Sequence, residues 1–420
     1  MEYLTVIIIA IIFISFGLLS EKIEGSMITP PLLFSGLGLL LSQKGLAIVD
    51  LHMDQHAIYI ITEMTLVLVL FSDAARINLR GLKADHNIPV RMLLVGLPLT
   101  LIFGAVIAWL LPLQLAFWEA VLVAAILAPT DAALGLSVVT SVHVPVRIRQ
   151  AINVESGLND GIALPVVLII ASLASVSTDY EQHNWLKFLA FQLSFGPLSG
   201  IVVGFIGTSL INVATAKKWM TDSAEGIVAL AIAILAYALA ESLQGNGFIS
   251  AFVAGMVFGH RLTHTCRFLF KFAETEGQLF TLGTFFIFGA VLMPDVLSVI
   301  NGWMLIYALL SLTLIRIIPV ILSLLGTKIN LLTALFLGWF GPRGLASIVF
   351  LLLVLRQGQL VHFEVISTIV LLTISLSIIL HGLSAAPLSR FYGRKVVTLG
   401  ECEEIVPVKE MPIRTGKVFK

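Results

Sequence analysis

The chain has 420 residues, 58% hydrophobic and 12% charged, with a mean hydropathy of +1.02. That balance excludes a soluble globular domain and implies an all-α polytopic membrane protein. A formal net charge of zero argues against a nucleic-acid partner, and the two cysteines, Cys266 and Cys402, lack the spacing of a disulfide framework or a zinc site.

A crossing needs about twenty apolar residues. Thirteen segments qualify: 3–20, 27–43, 57–75, 89–112, 115–139, 151–176, 187–213, 223–241, 246–260, 276–293, 302–325, 329–355 and 362–388. The first has neither a basic n-region nor a small-residue cleavage site, so it reads as a spanning helix rather than a signal peptide. The second and ninth are short, as tilted or partly interfacial helices would be. The membrane domain is therefore 1–388. Residues 389–420, with Arg390, Lys395, Glu401, Glu403 and Glu404, form a short mixed-charge tail, too short for a folded nucleotide-binding domain.

Alternate loops carry the cations: Arg76, Arg80, Lys83 and Arg91, then Arg147 and Arg149, Lys217 and Lys218, Arg261, Arg267 and Lys271, and Lys328 with the tail. The loops between them, such as Ser177–Asn184 and Pro294–Asp295, are poor in cations. Positive loops stay in the cytoplasm, so the N-terminus is expected outside and the C-terminus inside a cell (inner) membrane.

Two spans are interrupted at their centres. The fifth holds Pro129-Thr130-Asp131, and the twelfth holds Gly341-Pro342-Arg343-Gly344. Proline removes a backbone donor and glycine weakens a helix, and backbone freed at membrane depth needs protein partners or a polar cavity. The breaks lie about 212 residues apart, half the chain length, which is the spacing of paired broken helices in inverted-repeat transporters.

The sixth span opens with AINVESGLNDGIALP, which places Glu155, Ser156, Asn159 and Asp160 within six residues. On a helix, Glu155 stacks with Asn159 and Ser156 with Asp160, on faces roughly 100° apart. Intramembrane carboxylates are costly and mark ion or proton pathways. Burial disfavours a charged carboxyl and a bound cation favours it, so Asp160 can hold a proton or a cation but hardly both. A carboxylate retained for packing is the bland alternative. Thr130 and Asp131 sit where half-helix ends expose carbonyls to cations; a proline kink accounts for Pro129 but not for them. Asp73, near the end of the third span, suits a solvated helix-end acid nearly as well as a ligand. Arg343 needs an acid partner at mid-membrane, and Glu155 is the natural one, a structural pair whose disruption costs ~3–5 kcal/mol. Arg316 has no obvious partner. His381, Glu119, Glu241 and Glu63 read as span-end residues reaching the interface. His260 and His264 read as solvated loop residues, and Gly200 with Gly204 as a close-packing pair.

Taken in order, LFSDAARI, APTDAALG, ESGLNDGIALP and GWFGPRGLASIVF resemble the monovalent cation:proton antiporters of the NhaP/NHE type, over residues 5–388. The resemblance implies a 13-helix fold of two inverted repeats with crossed discontinuous helices, a homodimer with a dimerisation domain and a mobile core, and a role in pH homeostasis. It implies that Asp160 is the shared cation and proton carrier, and that Asn159 marks the electroneutral branch. Ser156, the Thr130 region with Asp131, and Asp73 match the cation ligands, for Na+ foremost, with K+ or Li+ also served. Glu155 and Arg343 match the stabilising pair. The cation and proton are substrates, and no cofactor is implied. Two departures bear on cation selectivity: Ala132 where many relatives have proline, and Asp73 where glutamate is common. A symporter or organic-anion carrier on the same scaffold would want a roomier site with donors for an organic group, whereas the cluster is nearly all acceptors. An intramembrane hydrolase using Ser156 would want a histidine or lysine base, and no span centre supplies one.

Overall fold

The computed structural model describes residues 2–23, 28–48, 55–76, 87–131, 134–175, 185–263, 276–296, 299–357, 360–397 and 404. Ala132, His264, Cys266, Cys402, Arg80, Lys83, Arg267, Lys271, the acidic loop 177–184 and residues 398–420 other than Glu404 lie outside these residues.

The described chain is helical throughout. In order the helices are α1 (Glu2–Ile23), α2 (Pro30–Leu41), α3 (Gln55–Arg76), α4 (Asn87–Leu110), α5 (Phe117–Leu127), α6 (Leu136–Val139), α7 (Val146–Ala174), α8 (Trp185–Ala216), α9 (Asp222–Ser242) and α10 (Gly247–Arg261). There follow α11 (Glu276–Ile287, continued through a π turn at Phe288–Leu292), α12 (Gly302–Leu312), α13 (Leu314–Ser323), α14 (Leu331–Trp339), α15 (Leu345–Gln357) and α16 (Phe363–Val397). Loop residues start several of them by accepting the first free amides: Asn246 from Ile249, Asn301 from Met304 and Asn330 from Leu332, each at 2.9 Å.

Among the described residues, seven helices are long and apolar enough to cross a membrane unaided, not the thirteen expected. For four of the six segments that fall short, the causes are local. The fifth and twelfth segments are each split by a break, which leaves α5 with 11 residues and α15 with 13. Helices α2 and α10 have only 12 and 15 residues. The seven that remain still make this a multi-pass membrane protein.

Packing exploits missing side chains. A Cβ on Gly200 or Gly204 of α8 would lie 2.4 Å from the Ser250 carbonyl oxygen or 2.9 Å from that of Ala254, so the pair does bring α8 onto the backbone of α10. Across α10, a Cβ on Gly255 would lie 2.3 Å from the Phe71 carbonyl oxygen of α3. The last helix passes the expected domain end at 388 and runs to Val397, because Tyr392 and Val396 are buried side chains rather than tail. Tyr392 stacks on Phe336 of α14 at 4.1 Å between ring centroids, and Glu404 accepts from the Asn330 amide at 2.8 Å and the Thr333 hydroxyl at 3.0 Å.

Candidate ion site at the broken helices

The two breaks meet. The amide of Asp131, in the α5–α6 break, donates to the carbonyl of Pro342, in the α14–α15 break, at 2.7 Å. The Asp131 carboxylate accepts from the Leu345 amide at 2.6 Å, so it caps the free N-terminus of α15, where an anion is favoured. The hydroxyl of Ser347 on α15 donates to the Ile126 carbonyl at 2.8 Å. Groups freed in one span are thus met by the other, as a dry interior requires. The glycines of the second break are spatial necessities. A Cβ on Gly344 would lie 2.1 Å from Asp131 Oδ2, and one on Gly341 would lie 2.5 Å from Arg316 Nε and 3.0 Å from Thr130 Cγ2.

Helix α7 lines this junction with its polar face. Asn159 Nδ2 donates to Thr130 Oγ1 at 2.6 Å, and Thr130 Oγ1 lies 2.9 Å from Ser156 Oγ. All three residues are buried. Asn159 Oδ1 has no hydrogen-bond partner among the described residues, which leaves an acceptor at the site. Asp160 follows next on the helix, half-buried. Behind it, a Cβ on Gly161 would lie 2.8 Å from the Phe252 ring of α10, so α7 is pressed close at that level. Four of the expected residues, Thr130, Asp131, Ser156 and Asn159, therefore share one junction. Asp73 lies half-buried in the last turns of α3.

The expected Glu155–Arg343 pair needs correction. Glu155 is held by Arg316, whose Nη2 reaches both carboxylate oxygens at 2.5 and 2.7 Å, with both side chains 1% exposed. Arg343 instead gives Nη1 to the Gly341 carbonyl at 2.6 Å. The physical reason lies in the break, which leaves that carbonyl free two residues from the guanidinium, while α13 delivers Arg316 to Glu155 from another span. The sequence carried one usable signal for Arg316: an arginine embedded in SLTLIRIIPV had to find an acid.

Three span-end readings also change. Glu119 is buried: it caps the Ala116 amide at 2.9 Å and meets His362 Nδ1 at 2.8 Å. Glu63 is buried on α3 and accepts from the Tyr237 hydroxyl of α9. His381 is buried within α16. Glu241 is exposed and accepts from the Gly247 amide at 2.8 Å, and His260 is exposed at the end of α10.

A membrane bundle of interrupted spans, with hydroxyls, an amide and carboxylates gathered where the interruptions touch, is the architecture of a secondary ion transporter. Comparison with known proteins agrees. A family described as sodium/hydrogen exchanger, transmembrane, matches residues 6–391. The K(+)/H(+) antiporter NhaP of Alkalimonas amylolytica is 24% identical over 98% of this chain and 70% of its own length. The K(+)/H(+) antiporter NhaP2 of Shewanella oneidensis is 25% identical over 78% of this chain, and the match spans 56% of its own length. The solved structure of the sodium proton antiporter MjNhaP1 from Methanocaldococcus jannaschii at pH 8 shares the fold, with a TM-score of 0.72 at 22% identity, over 89% of this chain and 92% of that one. The chain belongs to the sodium/hydrogen exchanger family of cation:proton antiporters, and is a secondary transporter rather than an enzyme.

Proposed function

We propose that this chain exchanges one alkali cation for one proton, with Asp160 as the group that both ions occupy in turn. One observation carries the reading: the Thr130–Ser156–Asn159 hydrogen-bonded knot ties the broken span to α7 one residue before Asp160. A carboxylate there has hard oxygen neighbours for an alkali ion, and its proton and cation forms exclude each other. Asn159 in place of a second aspartate leaves one titrating carrier, which makes the exchange electroneutral. Asp73 on α3 is a further cation ligand. Two relatives are named for potassium and the solved fold relative for sodium, so Na+ and K+ are both candidate substrates, with Li+ third.

The proposed architecture has thirteen crossings in two inverted repeats, supported by the contact between breaks half a chain apart. It works by alternating access, as a homodimer, with the N-terminus outside and the C-terminus in the cytoplasm of the cell membrane, as the loop cations direct. The test uses purified protein in sealed proteoliposomes with an internal pH dye, challenged with NaCl, KCl or LiCl. Proton flux without a membrane potential, lost in Asp160→Asn while the protein stays folded and inserted, is the expected outcome. Unimpaired exchange by that variant would refute Asp160 as the carrier, and a potential built without ionophore would refute the stoichiometry.

A further inference from the structure

Helix α14 ends at Trp339 and α15 begins at Leu345, so the turn between them frees groups that a continuous helix would pair. The carbonyls of Gly341 and Pro342 and the amide of Leu345 are met by Arg343, Asp131 and Asp131 respectively. The Trp339 carbonyl takes the Gly341 amide at 2.8 Å and, like the Arg343 amide, is also met from a different helix. On α16, His381 Nε2 lies 2.9 Å from the Trp339 carbonyl oxygen. Ser377 Oγ lies 2.7 Å from the Arg343 nitrogen and 3.2 Å from His381 Nδ1.

The direction of each bond follows. A carbonyl only accepts, so Nε2 carries the ring hydrogen. The Ser377 hydroxyl accepts the Arg343 N–H and gives its own hydrogen to Nδ1. Nδ1 also lies 3.0 Å from the Ser377 carbonyl, but a neutral ring protonated there would turn the Nε2 lone pair onto the Trp339 carbonyl oxygen, so the hydrogen sits on Nε2. One chain therefore runs from the Arg343 amide through Ser377 and His381 to the Trp339 carbonyl, bridging the break from end to end. Ser377 and His381 are both buried, and the ring lies against the Trp339 indole at 5.0 Å between centroids. That indole is itself fixed, donating to Ser384 of α16 at 2.9 Å. The charged groups acting on the ring are Arg343 and Arg316.

We propose that Ser377 and His381 replace the missing helical bonds of the second break and are positioning residues for the cation site. The route is short: the turn they hold abuts Thr130 at Gly341 and binds the Asp131 amide at Pro342. His381 serves as a fixed donor, and its titration has no part in transport. The inference rests on the reading of this junction as the cation site.

The test compares wild type, His381→Gln, His381→Leu and Ser377→Ala in proteoliposomes, with initial rates measured over a grid of pH and NaCl or KCl. Glutamine keeps an N–H at the reach of Nε2 and does not titrate. The expected result is a cation KM raised about tenfold in Ser377→Ala, which leaves the buried Arg343 amide unmet. The rise is about fivefold in His381→Leu, where the Trp339 carbonyl keeps the Gly341 amide but loses its second donor, with His381→Gln within about twofold of wild type. The pH optimum of His381→Gln should stay in place. If the leucine variant fails to insert, Ser377→Ala, which deletes one oxygen, carries the comparison. Wild-type KM in Ser377→Ala, or in an inserted His381→Leu, would overturn the proposal. So would a His381→Gln variant that loses as much as leucine or moves its pH optimum. A wild-type protein with no cation-driven proton flux would instead refute the exchange reading itself.

Discussion

Replacing Arg316 by glutamine tests the arrangement of buried charge at the core of the junction. Arg316 holds both oxygens of Glu155 at 2.5 and 2.7 Å, and each side chain is 1% exposed. Without the guanidinium the carboxylate stays buried and uncompensated, which costs about 3–5 kcal/mol. Glu155→Gln should cost a similar amount, by stranding Arg316. Arg343→Gln removes a charge-assisted bond to one carbonyl, about 1.5–3 kcal/mol, and leaves the Glu155–Arg316 contact intact. The ordering therefore runs Arg316 above Arg343. Because Glu155→Gln and Arg316→Gln delete the same interaction, their double variant should fall short of the sum by roughly 1–3 kcal/mol. Thermal melting of purified protein in lipid nanodiscs, followed by tryptophan fluorescence, reads this directly. A drop of roughly 5 °C or more is expected for Arg316→Gln. Additive effects of Glu155→Gln and Arg316→Gln, or stronger coupling of Glu155 to Arg343, would refute the assignment.

Gly344→Ala places a carbon 2.1 Å from Asp131 Oδ2 and should dislodge the cap on α15; a lowered melting temperature and a weaker cation KM are expected, and wild-type values for both would refute the close contact. Gly341→Ala crowds Arg316 Nε at 2.5 Å and Thr130 Cγ2 at 3.0 Å, and should cost about 1–3 kcal/mol in the same melting assay. If proton and cation share Asp160, protonation removes the anion that the cation needs, so KM should rise as pH falls. The slope approaches about tenfold per pH unit once most carboxyls are protonated. A KM independent of pH, with only the maximal rate changing, would refute simple competition. His260 is exposed at the end of α10, so His260→Gln should leave that profile unchanged, as initial rates across pH would show.

The sequence by itself determined the class of protein and the local chemistry of the site. Its hydropathy required membrane helices, PTD and GPRG marked the interrupted spans, and ESGLND put a hydroxyl, an amide and two carboxylates on neighbouring faces of one helix. Those signals are readable because helical spacing and the conformational limits of proline and glycine act within a few residues. Tertiary structure decided the partners. Glu155 chose Arg316, 161 residues away, over Arg343, because a carbonyl freed beside Arg343 competes for its guanidinium. Asp131 became a cap for α15 only once the two breaks touched. His381 and Glu119 turned from interfacial residues into buried ones because neighbouring helices covered them. Composition shows that a polar group in a membrane must be satisfied, but which group satisfies it depends on helix positions that no local window contains.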